Sequence, residues 1–436
     1  MVVLGGGPAG LSLGIALSRR GRSVAVLERT RYDRPRAGET FGGELGPLLK
    51  SLGAWDGFAA LAPVAFRGVH SAWGGADLAE RASIFHPFGD GWHVDRARFD
   101  AFLAQCAAQA GVAVEQGVGR CAITWSDGAW KVRGASGHEL TARFLVDASG
   151  RGAPAGAVML AERRWMRADR LVALLGTMSS TSPLEPVLLL EAVEEGWWYS
   201  VPQPGGALLA ALMTDADLLP ARGRAGLVEH FTHALGRTVH TAARAAPATL
   251  LAPPWIARAD SGLLLPDRGP GWRAVGDAAL ACDPLAGDGV VRSMRSALEA
   301  AAEIDAELSG SAAADSRSLH ARFRDYLEVR GRYYAREARW PGSTFWLRRR
   351  PPFDWKAAEI FLDPQKILQW DGKPPPCEVE ALLPPPAVRA VLERLRTPRP
   401  AHQALALLQK TAPLDDRRLL VGLQLLVDRG CLSLCD

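Results

Sequence analysis

Hydrophobic residues in this chain recur with two periods, and the points where one gives way to the other outline its elements. A short apolar run, 1–4, meets the turn Gly5-Gly6-Gly7-Pro8-Ala9-Gly10. Leu11, Ile15 and Ala16 keep helical spacing as far as Gly21, and a second apolar run, 23–27, closes on Glu28. The pattern predicts strand, turn, helix, strand and acid. It also predicts an amphipathic helix over 97–110, short strands over 112–115, 121–125 and 129–133, and an apolar strand, 144–147, ending in a turn at 148–151. Val69, Ser71 and Trp73 alternate within 66–88 and suggest strands there. Residues 164–254 read as an antiparallel sheet, with strands at 170–178, 187–193, 197–201 and 207–213 and a cover helix at 226–235. In Trp197-Trp198-Tyr199 a two-residue period puts Trp197 and Tyr199 on one face and Trp198 on the other. Helical spacing returns after a glycine-rich turn at 282–290, runs to about residue 308, breaks at 309–315 and resumes over 319–340. Beyond the proline-rich stretch 371–376, helices are expected at 388–395, 402–408 and 415–426 and a strand at 432–434.

Composition narrows the class. The chain has 436 residues, 48% hydrophobic and 22% charged, enough for two or three domains with full cores. A net charge of +4 over this length gives no case for nucleic acid. No apolar stretch approaches the roughly 20 residues of a spanning helix, and the first residues read as a strand rather than a signal peptide. Cys106, Cys121, Cys282, Cys377, Cys431 and Cys435 are scattered and match no zinc spacing. They are expected to be reduced thiols of a cytoplasmic protein, with no metal site. The 14 tryptophans point to large apolar or stacking surfaces.

The glycine turn carries the first chemical signal. Gly5 allows a tight turn, Gly7 lets backbone approach a pyrophosphate and Gly10 lets helix and strand pack closely, with Pro8 and Ala9 in the same loop. The helix N-terminus offers free N–H groups and a partial positive charge. Glu28, about 20 residues on, is placed to accept a ribose hydroxyl, with Arg29 beside it. Together these predict dinucleotide binding and an α/β fold. Its expected parts are a Rossmann-like cofactor domain from 1–165 and 255–340 with inserted strands, a substrate-binding antiparallel sheet, 166–254, a connecting segment, 341–370, and a small, mainly helical C-terminal module, 371–436. Arg96 opens the 97–110 helix, where a cation is unfavourable unless an anionic ligand lies nearby.

Three distant segments then align: Gly5 to Glu28, Val146-Asp147-Ala148-Ser149-Gly150-Arg151, and Gly276-Asp277 followed by Asp283-Pro284-Leu285-Ala286-Gly287-Asp288-Gly289. Together they resemble the FAD-dependent monooxygenases of the para-hydroxybenzoate hydroxylase type and their tryptophan-halogenase-like cousins, over roughly residues 1–340. The resemblance implies that Gly276 and Asp277 contact the ribityl and pyrophosphate side of FAD, that Arg96 contacts FAD, and that Asp147 lies in the cofactor site. It implies a turn, Pro284 to Gly289, that aims a helix N-terminus at the flavin ring, favouring its anionic reduced form and the C4a-hydroperoxide that form gives with O2.

Halogenases of this superfamily carry a Trp-x-Trp-x-Ile-Pro strand and a lysine that captures hypohalous acid. Here the strand reads Trp197-Trp198-Tyr199-Ser200-Val201-Pro202, and 66–98 contains no lysine; Lys50 lies upstream. Hydroxylation therefore ranks above halogenation. Gly38-Glu39-Thr40, Gly196 to Tyr199, Arg339-Trp340-Pro341 with Phe345-Trp346, and the appended module resemble in general form the flavoprotein monooxygenases of tryptophylquinone biogenesis. That likeness implies a polypeptide partner carrying the target tryptophan, NAD(P)H or another reductant as electron donor, and a basic, aromatic docking stretch at 336–350. Trp197 and Tyr199 are the expected pocket wall, and Glu39, Asp283 and His86 the candidates for proton transfer. The alternatives are a flavin-dependent halogenase, a small-molecule aromatic hydroxylase, and a non-catalytic flavoprotein maturation factor.

Overall fold

The two apolar runs flanking the glycine turn lie side by side in parallel, Val2 opposite Ala25 and Leu4 opposite Leu27, and the run ending at Asp147 pairs with the first on its other side. The computed structural model describes residues 1–135, 137, 139–152, 164–180, 183–220, 223–246, 248–311, 318–349, 362–375, 379, 382–428 and 430–435. Residues 312–315 of the expected break at 309–315, Cys377, and 350–361 of the expected connecting segment, 341–370, lie outside these residues. Six strands form the first sheet, in the order 268–269, 272–274, 145–147, 2–4, 25–28 and 113–116. All its pairs are parallel except the 268–269 hairpin. Helices Pro8–Ser18, Arg96–Gln109 and Gly289–Leu308 cover it through Leu11, Ile15, Phe99, Leu103, Met294 and Ile304, all fully buried. Continuous apolar strands follow from being covered on both faces.

The second sheet has seven strands, in the order 255–258, 171–178, 208–215, 196–202, 188–193, 68–72 and 79–82. It therefore reaches beyond 166–254 at both ends. The pairing of 188–193 with 68–72 is parallel and the rest antiparallel. The two-residue alternation holds: Trp197, Tyr199, Ala211 and Met213 share one face with Tyr334, Phe345 and Trp346. Trp198 and Leu212 share the other with Phe231 and Ala245.

The helix expected over 319–340 stops at Ala335, and a short helix, Thr344–Leu347, follows. This segment closes over the Trp197 face. A buried ion cluster anchors it: Arg349 and Arg348 both reach the Asp215 carboxylate, at 3.1 Å and 2.9 Å, and Arg348 continues to Asp217. Burial alone would raise the Asp215 pKa, but Arg349 and Arg348 overcome it and hold the carboxyl below its ordinary value of 3.8. The C-terminal helices Pro385–Arg394, Ala401–Thr411 and Asp416–Asp428 carry a three-stranded antiparallel sheet, 399–400, 367–370 and 432–435. They do not stand apart, because their core continues into Phe323, Leu327 and Leu263. Among the described residues no helix is long and apolar enough to cross a membrane, and no group of His, Cys, Asp and Glu could hold a metal ion.

Candidate functional site

At the first sheet, the glycines divide their tasks by what surrounds them. A Cβ on Gly5 (φ +108°) would run into the Ala148 carbonyl, and one on Gly10 into the Gly5 carbonyl. Those two serve close packing. A Cβ on Gly7 would meet nothing within 4 Å. The helix starting at Pro8 has no side-chain cap, so its first N–H groups face that open space. Gly276 (φ +59°) brings the third of the aligned segments onto the same place, since a Cβ there would sit 2.8 Å from that of Ala9.

Glu28 is buried. Its Oε2 accepts from the Gly6 N–H at 2.9 Å, and its Oε1 accepts from the Thr30 amide at 3.0 Å and from Arg36 at 2.8 Å. Arg29, next to it, is exposed. Arg36 also reaches Asp100 at 2.8 Å, and the fully buried Asp100 takes Arg96 at 3.2 Å. Arg96 then donates to the Ala37 carbonyl at 2.6 Å. Arg96 therefore does not sit uncompensated at its helix start, because Asp100, one turn on, neutralises it. Arg36 and Asp100 are additions to the sequence reading. Their signal was the Arg96/Asp100 spacing of four with an arginine beside Gly38.

On the side of the Gly289 helix, Asp277 accepts from Arg151 at 2.9 Å, and Arg151 also donates to the Asp260 carbonyl at 2.9 Å and the Cys282 carbonyl at 2.5 Å. Asp147 is taken up by its own turn, accepting from the Ser149 amide at 3.1 Å and hydroxyl at 2.5 Å. Asp283 caps the turn Pro284–Ala286 by accepting from the Leu285 amide at 2.7 Å. Gly287 (φ +68°) reverses the chain, and the 20-residue helix from Gly289 begins without a side-chain cap. A Cβ on Gly287 would meet nothing within 4 Å, and one on Gly289 only the tip of Arg292 at 3.9 Å. This turn is held from the far end of the chain. Tyr326, Arg330 and Tyr334 lie four residues apart on one helix face. The Tyr326 hydroxyl accepts from the Asp283 amide at 2.7 Å, Arg330 pairs with Asp169 at 2.5 Å, and the Tyr334 hydroxyl donates to Asp283 at 2.5 Å.

The sheet face meets this turn. Trp197 donates its Nε1–H to the Tyr334 hydroxyl at 3.0 Å, extending the chain from Asp283. Tyr199 donates to Glu39 Oε2 at 3.1 Å, while Glu39 Oε1 is buried with no partner among the described residues. Leu285 and Ala37 pack into the same cluster. Trp197 is only 1% exposed, its ring edge-on to Trp73 at 6.2 Å, so this wall is closed over by Tyr334 and Trp73. Glu39, Asp283, Trp197 and Tyr199 thus converge. His86 does not join them; it is half-exposed, 3.4 Å from Glu44, and packs on Phe88.

Burial pushes the Glu39 carboxyl above its ordinary value of 4.5, with hydrogen bonds and Arg96 opposing. Burial likewise raises Asp283, against Arg330. A raised folded pKa means that the fold favours the neutral acid, so stability falls as pH climbs from the ordinary value through the folded one. Glu39→Gln removes the ionisation. Its melting temperature relative to the parent protein is therefore expected to rise over that pH window, and thermal scans across pH at fixed FAD check it.

Residues 76–207 match the family described as tryptophan halogenase. The FAD-dependent oxidoreductase LodB of Marinomonas mediterranea is 27% identical over 365 residues, covering 80% of this chain and 96% of LodB. Among solved structures, the myxobacterial chondrochloren halogenase CndH aligns with a TM-score of 0.69 at 25% identity, covering 80% of this chain and 85% of CndH. The peptidyl tryptophan dihydroxylase QhpG, essential for tryptophylquinone cofactor biogenesis, aligns with a TM-score of 0.64 at 27% identity, covering 84% of this chain and 82% of QhpG. The chain is an FAD-dependent oxidoreductase. Its relatives place it within the halogenase-like FAD superfamily. The residues fit the cofactor: open space over Gly7, Gly287 and Gly289, uncapped helix starts beside Gly7 and Gly289, and a buried acid at the end of the second strand.

Proposed function

We propose that this flavoenzyme is a monooxygenase that hydroxylates the indole of a tryptophan in a partner polypeptide during tryptophylquinone cofactor biogenesis. The likeness to QhpG over 84% of the chain carries this reading. The lysines support it: Lys50, Lys366, Lys373 and Lys410 are exposed and Lys131 pairs with Asp127, so no described lysine lies on the Trp197 face. In this reading Gly5 to Gly10, Glu28, Arg96, Asp147, Gly276, Asp277 and the turn Pro284 to Gly289 hold FAD. Bound FAD, reduced by NAD(P)H or another donor, supplies the oxygen transfer from O2. The chain's own groups do the rest. Asp283, Tyr334 and Trp197 hold one wall rigid, and Tyr199 orients Glu39, whose Oε1, buried with no partner among the described residues, is the atom that would hold or move a proton. The closed aromatic cluster keeps water out.

The match to the tryptophan halogenase family favours a second reading, halogenation. One experiment separates the two. Protein loaded with FAD, chemically reduced and mixed with air, halide and tryptophan-containing peptides is followed by intact mass. Added oxygen is the expected product. A halogen isotope pattern would replace the proposal by the second reading, and unchanged peptide with recovered, reoxidised flavin would leave a non-catalytic maturation factor.

A further inference from the structure

The seven-stranded sheet ends in a free edge. Ala79–Ala82 pairs with 68–72 on one side only, and all four residues are exposed. The Ser83 N–H donates to the Arg67 carbonyl at 2.8 Å. Antiparallel pairing alternates, so residues 79, 81 and 83 bond inward. The amides and carbonyls of Glu80 and Ala82 therefore point away from the sheet, unmatched by any strand among the described residues. Such an edge is complementary to one kind of object, the main chain of an extended peptide.

What borders the edge narrows the peptide. The next residues carry the two most exposed large apolar side chains among the described residues, Phe85 at 89% and Ile84 at 76%, with Phe88 at 52% close by. A contiguous group of this kind marks an interaction site. Arg67 and Arg81 are exposed, and neither has a carboxylate partner among the described residues. By the two-residue alternation Arg81 lies on the sheet face that carries Tyr199, whereas Glu80 is turned to the other face. The edge also connects to the site. Tyr199, Leu190, Ser71 and Ala79 form one cross-strand row, and Phe88 packs against Gly43, four residues from Glu39.

We propose that the 79–82 edge, with Ile84, Phe85 and Phe88, docks an extended acidic segment of the polypeptide substrate as an eighth strand. This rests on the reading of a polypeptide substrate given above. An added strand lies four strand spacings from Tyr199, about 19 Å. Extended chain spans about 3.3 Å per residue, so the target tryptophan stands about six residues from the docked segment.

Ala82→Pro tests the main-chain contact. Ala82 has φ −71°, which proline shares, and its N–H faces outward, so the substitution deletes one outward donor and leaves the sheet intact. The probes are a fluorescein-labelled peptide of alternating Glu and Val, the same peptide N-methylated at every second amide, and a Lys-for-Glu version. Each is titrated into the FAD-loaded protein and followed by anisotropy. The acidic peptide is expected to bind saturably. Ala82→Pro is expected to weaken it about tenfold, the loss of about one hydrogen bond, and N-methylation, which removes more than one donor, at least as much. Phe85→Ser and the Lys version are expected to weaken it as well, with flavin absorbance and melting temperature unchanged. Absence of binding by the acidic peptide, or equal binding by parent and Ala82→Pro proteins, overturns the proposal. So does a self-association that Ala82→Pro abolishes in sedimentation, which would make the edge a contact between copies of this chain. Peptide binding as expected without oxygen insertion would sink the proposed reaction and leave the docking edge standing.

Discussion

Asp215→Asn is expected to destabilise the fold by about 3–5 kcal/mol, the cost of leaving a buried charge unpaired. Asp215 is 1% exposed, and Arg349, which it neutralises, is completely buried over the Phe345 ring at 3.8 Å. Asparagine keeps the shape and one acceptor but not the charge. Arg348 retains Asp217, whereas among the described residues no other carboxylate pairs with Arg349. The Thr344–Leu347 helix would lose its anchor on the sheet, and with it the cover over Trp197. Urea unfolding at fixed FAD measures the change, with Asp217→Asn as control; that carboxylate is 37% exposed and its loss should cost well under half as much. The sign with pH follows from the depressed Asp215 pKa. Its stabilisation is present above 3.8 and is lost as pH falls through the lower folded value. A parent protein and an Asp215→Asn protein that melt together at neutral pH would refute the buried pair.

Gly7→Ala and Gly10→Ala are expected to fail in different ways, and the contrast tests the cofactor site without any turnover. A methyl on Gly10 meets the Gly5 carbonyl, inside the contact of helix and strand, so neither can move without the sheet. That protein should lose both stability and FAD. A methyl on Gly7 enters open space. The apoprotein should keep its melting temperature, while FAD affinity falls at least about a hundredfold, the effect of displacing backbone N–H groups from a phosphate by about 3 kcal/mol. Flavin fluorescence titration of refolded apoprotein reads the affinity, and an unaltered affinity for Gly7→Ala would remove this turn from the cofactor site.

Local chemistry made the first half of this site readable. Gly5, Gly7, Gly10 and Glu28 sit within one strand-helix-strand unit, where spacing alone fixes relative position. Alternation likewise gave the faces of Trp197, Trp198 and Tyr199, since a strand leaves no choice. What could not be read was set by distant pairing. Nothing near 68–72 shows that it lies parallel to 188–193, more than a hundred residues on. Asp100 looked like one more charge on an amphipathic helix, and its burial between Arg36 and Arg96 depends on a loop from another element. Arg96 was given an anionic ligand as its counter-charge, because its carboxylate partner, though four residues away, could not be known to point the same way. Tyr326 and Tyr334 stand at helical spacing within an expected helix, but the Asp283 turn they meet could not be inferred from that helix. The C-terminal strands 367–370 and 399–400 are short and pair across about 30 residues, so neither was read as a strand: the first fell in the expected connecting segment and the second between two expected helices.

The two rivets on Asp283 come from Tyr326 and Tyr334, long after the glycine turn at 5–10. During synthesis on the ribosome the glycine turn emerges first and the groups that set the Pro284 turn emerge much later. A nascent chain arrested before Tyr334 has left the exit tunnel therefore carries the motif without a finished binding site. Under the cofactor assignment proposed above, acquisition of FAD is a late event in the life of the polypeptide, waiting on its final third.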